Sequence, residues 1–487
     1  MNHVYVSVDI GASSGRLILS SMEEGKLQLQ EVHRFANGFT NHHGKCVWDI
    51  DHLLTETIKG LAIVKSRGHN SCMVGIDTWA VDYLLLGDGG KRLQEAVSYR
   101  DSRTAETMGK VFNRISQEEI YRKTGIQFLQ FNTLYQLYEE EKDKLAQTKQ
   151  ILLIPDYLNY RLTGKAVNEV TNASTTQLFN LQTKTYDEEL LKVIGLKPDQ
   201  FPEIVEPGTF IGKLDPTLFP SYDLPDCDVY TVASHDTASA VVGTPGDGNN
   251  WAFLSSGTWS LIGIESVYPI VTEAAFKEAF TNEAGMNGTT RFLKNIIGMW
   301  VMQEIRKILP QDYNFDRFVA EAKKEKPFQQ FVNFNEDRFL NPHNMVAEIQ
   351  AYCARTNQKV PETAGELAGC VYSNLAIIYA IVLNKLTELT GKSIETVHIV
   401  GGGAKNAYLN QLTADVSGKT VYAGPAEATA IGNVLVQMMA AGEVATLEEA
   451  RRLIRSSFEI GKFEPRALER EKLIKQFKEV TNDEYVD

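Results

Sequence analysis

Basic residues are in short supply. The chain carries 49 Lys and Arg against 62 Asp and Glu, a formal net charge of -13 at pH 7. A protein whose main partner is nucleic acid needs a basic surface to displace counterions, and no basic stripe relieves the deficit. Cysteine is sparse and odd in number, five in 487 residues. That excludes a disulfide scaffold and fits a reducing cytoplasm. Cys353 and Cys370 lie close enough in sequence to pair, which that compartment disfavours, and their spacing does not suit zinc. No apolar run approaches the ~20 residues that span a bilayer, so no membrane partner is expected. The N-terminus, "MNHVYVSVDIGASSGRLIL", lacks a basic stretch followed by an apolar core and cleavage site, and reads as mature protein.

What is present is globular, with 43% hydrophobic and 23% charged residues. The length of 487 residues exceeds one core, so two domains are expected. "VYVSVDIGASSGRLILS" (4–20) reads as strand, small-residue turn and strand, and "KLQLQEVHRF" (26–35) as a third strand. Residues 49–68 follow with helical spacing of Leu53, Leu54, Ile58, Leu61 and Ile63. A buried strand (71–79), a polar helical region (103–145) and a strand "QILLIPD" (150–156) complete a mixed α/β domain. "WAFLSSGTWSLIGIES" (251–266) repeats the opening hairpin. Beyond an insertion at 306–350, to which the sequence assigns no role, a helix at 364–390 leads into "TVHIVGGG" (396–403). A diverged duplication is the economical reading. The expected domains are 1–244 and 245–487, meeting at the turn-forming "PGDGNN", with ligands in the cleft between them.

Three glycine turns are candidate ligand loops. "DIGASSGR" (9–16) offers backbone N–H groups that can wrap phosphate oxygens, with Asp9 placed to hold Mg²⁺ through water. A plain hairpin turn explains the same residues. "SSGTWS" (255–260) has the same chemistry, and two such turns facing one cleft would grip one polyphosphate, with Thr258 near its end. "VGGGAKN" (400–406) removes every Cβ where a flat ring such as adenine would lie. "EATAIGNVL" (427–435) reads as a small-residue helix able to pack tightly behind that site, or simply as a close-packed helix. "TGKS" (390–393) is a helix end, not a P-loop, and "NHH" (41–43) lacks a third metal ligand. In "TVASHDTASAVVG" (231–243), Asp236 closes a strand-like run and opens a helix. It can cap that helix or accept a proton from a substrate hydroxyl that attacks a phosphoryl group.

Read together, "DIGASSGR", "GIDTWAVDY" (75–83), "YRDSR" (99–103), "IPDYLNYRLTG" (154–164), "TNAST" (171–175), "SHDTASAV" (234–241), "SSGTWSLIG" (255–263), "GGGAKN" and "EATAIG" resemble the FGGY family of carbohydrate kinases along nearly the whole chain. The resemblance implies an α/β fold of two actin-like (ribonuclease H-like) domains around a central cleft, the first binding sugar and the second nucleotide. It implies a cytoplasmic enzyme that uses ATP and Mg²⁺, monomeric or alternatively dimeric. Within the family the motifs look like members that phosphorylate the 1-hydroxyl of L-rhamnulose in L-rhamnose catabolism. Members acting on L-fuculose or xylulose, or a non-enzymatic ATP-binding protein of actin-like fold, are the alternatives. By resemblance, Asp236 is the catalytic base, and Ala80, His235, Asp236, Thr237 and Asn295 contact the sugar. Ala12, Ser13, Ser14, Gly15, Arg16, Thr258, Gln303 and Gly402 contact the nucleotide, and Asp9 lies on the metal side. Ala80 stands where the family often has glycine, so its methyl narrows the pocket.

Overall fold

The computed structural model describes residues 3–310 and 313–481; Gln311 and Asp312 of the 306–350 insertion, and both chain ends, lie outside them. The chain divides into two compact units, each assembled from several segments. The first holds 1–243, 265–292 and 428–457, and the second 244–264, 293–427 and 458–487.

In the first unit β1 (Tyr5–Ile10), β2 (Ser14–Glu23) and β3 (Lys26–Ala36) form the expected antiparallel meander. Asp49 caps α1 (Ile50–Ser66), accepting from His52 N at 2.9 Å. α1 packs on β2 and β3, and its Leu53, Ile58 and Leu61 are fully buried. Each contributes about 2 kcal/mol by leaving water, which outweighs the ~1 kcal/mol helix cost of Gly60. That glycine is needed, because Leu17 Cδ2 lies 2.4 Å from where a Cβ would be. β4 (Ser71–Thr78) returns parallel to β1. The expected strand at 150–156 is shorter: Gln150–Leu153 pairs with Tyr83–Leu86 outside the main sheet. Pro155 sits in the first turn of α2 (Ile154–Thr163), where its missing N–H costs nothing. With β5 (Phe210–Lys213) and β6 (Asp226–Tyr230) the sheet order is β5-β6-β4-β1-β2-β3. Thr231–Ser234 is not strand, and α3 (Asp236–Val242) follows.

The second unit repeats this plan. β7 (Trp251–Ser256) and β8 (Trp259–Ser266) form the second hairpin, and β9 (Thr290–Ile297) lies next in order. The 27-residue α4 (Ala364–Thr390) begins at a Thr363/Glu366 capping box and ends at Gly391, φ +66°. β10 (Thr396–Val400), β11 (Thr420–Ala423) and, after α5 (Ala428–Ala440), β12 (Gly461–Phe463) give the order β12-β11-β10-β7-β8-β9, with the short strand Thr281–Ala284 beyond β9 as the seventh. The pairings match position by position: β1–β2 and β7–β8 are antiparallel, β1–β4 and β7–β10 parallel, β4–β6 and β10–β11 parallel, and the edge strands β5 and β12 antiparallel. The duplication read from the sequence is therefore topological.

One expectation needs correction. An apolar run of spanning length does exist: α4 has a window of mean hydropathy 1.7. That window is 89% buried inside the protein, which makes α4 the core helix of its unit. The small-residue helix α5 belongs with the first unit and packs on α3. Gly432 and Gly243 let the two backbones touch, since a Cβ on either would lie 1.8 or 2.0 Å from a backbone oxygen of the other helix. All five cysteines are thiols. Cys72 and Cys227, in register on β4 and β6, have sulfurs 3.5 Å apart.

Candidate active site

The carboxyl ends of β1, β4 and the segment after β6 bring three aspartates together. Asp9 and Asp77 are opposite partners on the parallel strands β1 and β4. Arg16, opposite Asp9 on β2, donates to Asp9 Oδ2 from Nε at 3.0 Å and from Nη2 at 2.8 Å. Asp77 has no exposed surface and takes a 2.6 Å hydrogen bond from Asn433 of α5. Burial, and then the charge of Asp9, push its carboxyl well above the ordinary aspartate range. The turn between β1 and β2 is closed by Gly11 N donating to Ser14 O at 2.9 Å and Asn37 Nδ2 donating to Gly11 O at 2.8 Å. Ala12 and Ser13 form its accessible tip; Gly15 is already inside β2, its Cβ position taken by the Phe35 ring.

Asp236 is the first residue of α3, and the cap position is His235, whose side chain makes no capping bond. The capping explanation for Asp236 therefore falls. Its Oδ1 accepts from Thr237 Oγ1 at 3.2 Å and lies 3.5 Å from His235 Nε2, with 33% of the side chain exposed. Burial is the main force raising its pKa, positive charge on His235 would oppose it, and the Asp9 charge adds to it. Only the ionised carboxylate accepts a proton, so with Asp236 as the base turnover is lost as pH falls through this raised pKa. The acid limb of the kcat/KM profile is thus expected above the ordinary aspartate pKa of about 3.9. A limb at or below that value would contradict the environment described.

The segment leading to His235 is fixed from behind by Glu169. This buried carboxylate accepts from Ser234 N and Oγ at 3.0 and 2.6 Å and from Thr171 N and Oγ1 at 2.9 and 2.6 Å. Thr171 Oγ1 accepts in turn from His235 N at 3.3 Å, and Thr78 N donates to Ser234 O at 2.9 Å. Nothing in composition or spacing singled out Glu169, although it stands two residues ahead of "TNAST".

Ala80, beyond β4, opens a tight turn closed by Asp82 N donating to Ala80 O at 2.9 Å. Its centre, Val81, has φ +67°, a region that β-branched residues avoid. Such strain costs about 1–3 kcal/mol and persists only where neighbours enforce it. Here Asp82 does so: buried, it accepts from Trp48 Nε1, Trp79 Nε1, Tyr99 N and Gln136 Nε2 at 2.6–3.1 Å. Thr133 Oγ1 holds Val81 O at 2.7 Å. Ala80 is presented on a stiff loop backed by two indoles 4.3 Å apart.

In the second unit, Gly257 N donates to Trp259 O at 2.9 Å across the hairpin turn. Gln303 Nε2 donates to Thr258 Oγ1 at 3.3 Å, so these two candidates are brought together. Of the three glycines after β10, Gly401 (φ +80°) and Gly403 are required by contact with Ser256. Gly402 is exposed, with nothing within 4 Å of its Cβ position, and is the one a ligand can approach. Asn295 stands half-buried on β9.

These loops at equivalent points of a duplicated fold, one carrying a partly exposed carboxylate, define a phosphoryl-transfer protein of known class. Residues 4–243 match the N-terminal domain, and residues 252–441 the C-terminal domain, of the FGGY family of carbohydrate kinases, and the chain belongs to that family. Its curated relatives include the rhamnulokinase of Bacillus subtilis (strain 168), 57% identical with 98% of each chain covered. The rhamnulokinase of Ligilactobacillus salivarius (strain UCC118) is 51% identical with 99% of each covered. Among solved structures, gluconate kinase from Lactobacillus acidophilus superposes with a TM-score of 0.81 at 17% identity, over 100% of this chain and 99% of that one. The fold is accordingly the two-domain, actin-like α/β architecture, and the protein is a sugar kinase.

Proposed function

We propose that this chain transfers the γ-phosphoryl group of ATP to the 1-hydroxyl of L-rhamnulose, giving L-rhamnulose 1-phosphate and ADP in L-rhamnose catabolism. The observation that carries the reading is end-to-end identity of 57% and 51% to rhamnulokinases, in a chain whose Asp236 is partly exposed and not used as a cap. Asp236 Oδ1 takes the proton of the 1-hydroxyl, the freed oxygen attacks the γ-phosphorus in line, and ADP leaves. His235, Thr237, Ala80 and Asn295 hold the sugar. Ala12 to Arg16, Thr258, Gln303 and Gly402 hold the nucleotide.

Mg²⁺ needs only one or two protein carboxylates when phosphates and waters complete its shell. Asp9 fits that requirement: both Arg16 bonds land on its Oδ2. Among the described residues no group of three or more His, Cys, Asp and Glu could hold a metal ion alone, as suits an ion that arrives with the nucleotide. Bound there, Mg²⁺ would neutralise charge on the transferring phosphates.

The test is a panel of L-rhamnulose, L-fuculose and D-xylulose with purified protein, ATP and Mg²⁺. The highest kcat/KM is expected for L-rhamnulose. Preference for another ketose would move the chain to that specificity, and sugar-independent ATP turnover would favour the non-kinase alternative.

A further inference from the structure

Arg291, on β9 where it still belongs to the first unit, has no exposed surface. Its Nε donates to Ala284 O at 3.0 Å, and its Nη2 lies 3.3 Å from His235 Nδ1. Its Nη1 is 3.0 Å from Glu283 Oε2, an ion pair whose angle gives neither atom a directed hydrogen bond. Glu283 Oε2 is itself 3.3 Å from His235 Nδ1. One buried cation and one buried anion thus compete for the same ring nitrogen, whose other edge faces the candidate base.

The competition has a determinate outcome. A guanidinium can only donate, and a carboxylate can only accept. If Arg291 holds Nδ1, that nitrogen presents its lone pair and the ring hydrogen sits on Nε2. If Glu283 holds it, Nδ1 carries the hydrogen. Glu283 already has its charge met by Arg291, whereas Nη2 has His235 Nδ1 as its hydrogen-bond partner. We propose that Arg291 and Glu283 are positioning residues: Arg291 fixes neutral His235 as the Nε2–H tautomer, and Glu283 holds Arg291 in place to do so. The edge of His235 beside Asp236 is then a donor, 3.5 Å from an acceptor. Such a couple matches two neighbouring sugar oxygens, one giving up its hydrogen to Asp236 and the next receiving one from His235. That catalytic consequence rests on the proposed function; the tautomer does not.

The experiment is ¹⁵N NMR of the histidine rings in the full chain, with the His235 signals assigned by their loss in His235→Gln. The expected spectrum has an unprotonated Nδ1 and a protonated Nε2. A hydrogen on Nδ1, or on both nitrogens, overturns the proposal. Arg291→Met alone would strand the Glu283 charge in the interior, so the functional variant is Arg291→Met combined with Glu283→Gln, which removes both charges. Its sugar KM is expected to rise about 3- to 10-fold, the worth of one hydrogen bond, with a smaller change in kcat and a mixed-tautomer spectrum. Arg291→Lys, which keeps a buried donor cation, is expected to restore both. A folded double variant with unchanged tautomer and KM overturns the assignment, and if that variant does not fold the wild-type spectrum alone decides. Correct tautomer without turnover on L-rhamnulose would sink the substrate reading and leave this one standing.

Discussion

Asp236→Asn is expected to lower kcat by about 10²- to 10⁴-fold, about 3–5 kcal/mol of transition-state stabilisation, while sugar KM stays within a few-fold. Asparagine fills the same volume and its Oδ1 still accepts from Thr237 Oγ1, but an amide takes no proton. Because the native environment raises the Asp236 pKa, folding opposes its ionisation near neutral pH. The neutral amide removes that opposition, so the variant is expected to melt at or above the wild-type Tm. Lost turnover with undiminished stability separates chemistry from misfolding. Near-wild-type kcat would remove Asp236 from the mechanism.

Gly432→Ala is expected to be the most damaging single methyl in the first unit, destabilising by about 3–5 kcal/mol. Its Cβ would stand 1.8 Å from Ser239 O and 2.9 Å from Gly243 N, both backbone atoms of the Asp236 helix or its end. A flexible side chain could swing away; a helix backbone has to move as a body. The clash far exceeds the ~1 kcal/mol that alanine gains in helix propensity, so the substitution destabilises. Any separation of α3 from α5 also displaces Asp236, and small misplacements of the proposed base would be costly in rate. Urea unfolding reads the first effect and kcat the second. Gly369→Ala in α4 is the control: its Cβ would meet only Glu325 Cβ, at 3.9 Å, and is expected to be tolerated. Equal stability of the two variants would refute the close-packing account.

The contrast shows what a sequence carries. Hairpins, α1, α4 and the strand-to-turn positions of the glycine loops are local patterns, and they stand where periodicity and turn chemistry put them. Asp236 was legible as a strand-end carboxylate, yet whether it caps the helix turned on a one-residue boundary that periodicity does not resolve. Glu169, Glu283, Arg291 and Asp77 were not singled out, because their meaning lies in partners far along the chain. Asn433 reaches Asp77 across 356 positions, and Arg291 reaches His235 across 56. α5 was legible as a close-packed helix, but its partner was not, for the same reason: small residues announce close packing and not against what. α4 escaped notice as an apolar span because scattered polar residues break its run without lowering its average much.

The last piece of the unit that carries Asp236, residues 428–457, is made only after most of the second unit. Until then Asp77 lacks its asparagine and the Asp236 helix lacks the neighbour it lies against. A chain that stops before that piece can form neither contact.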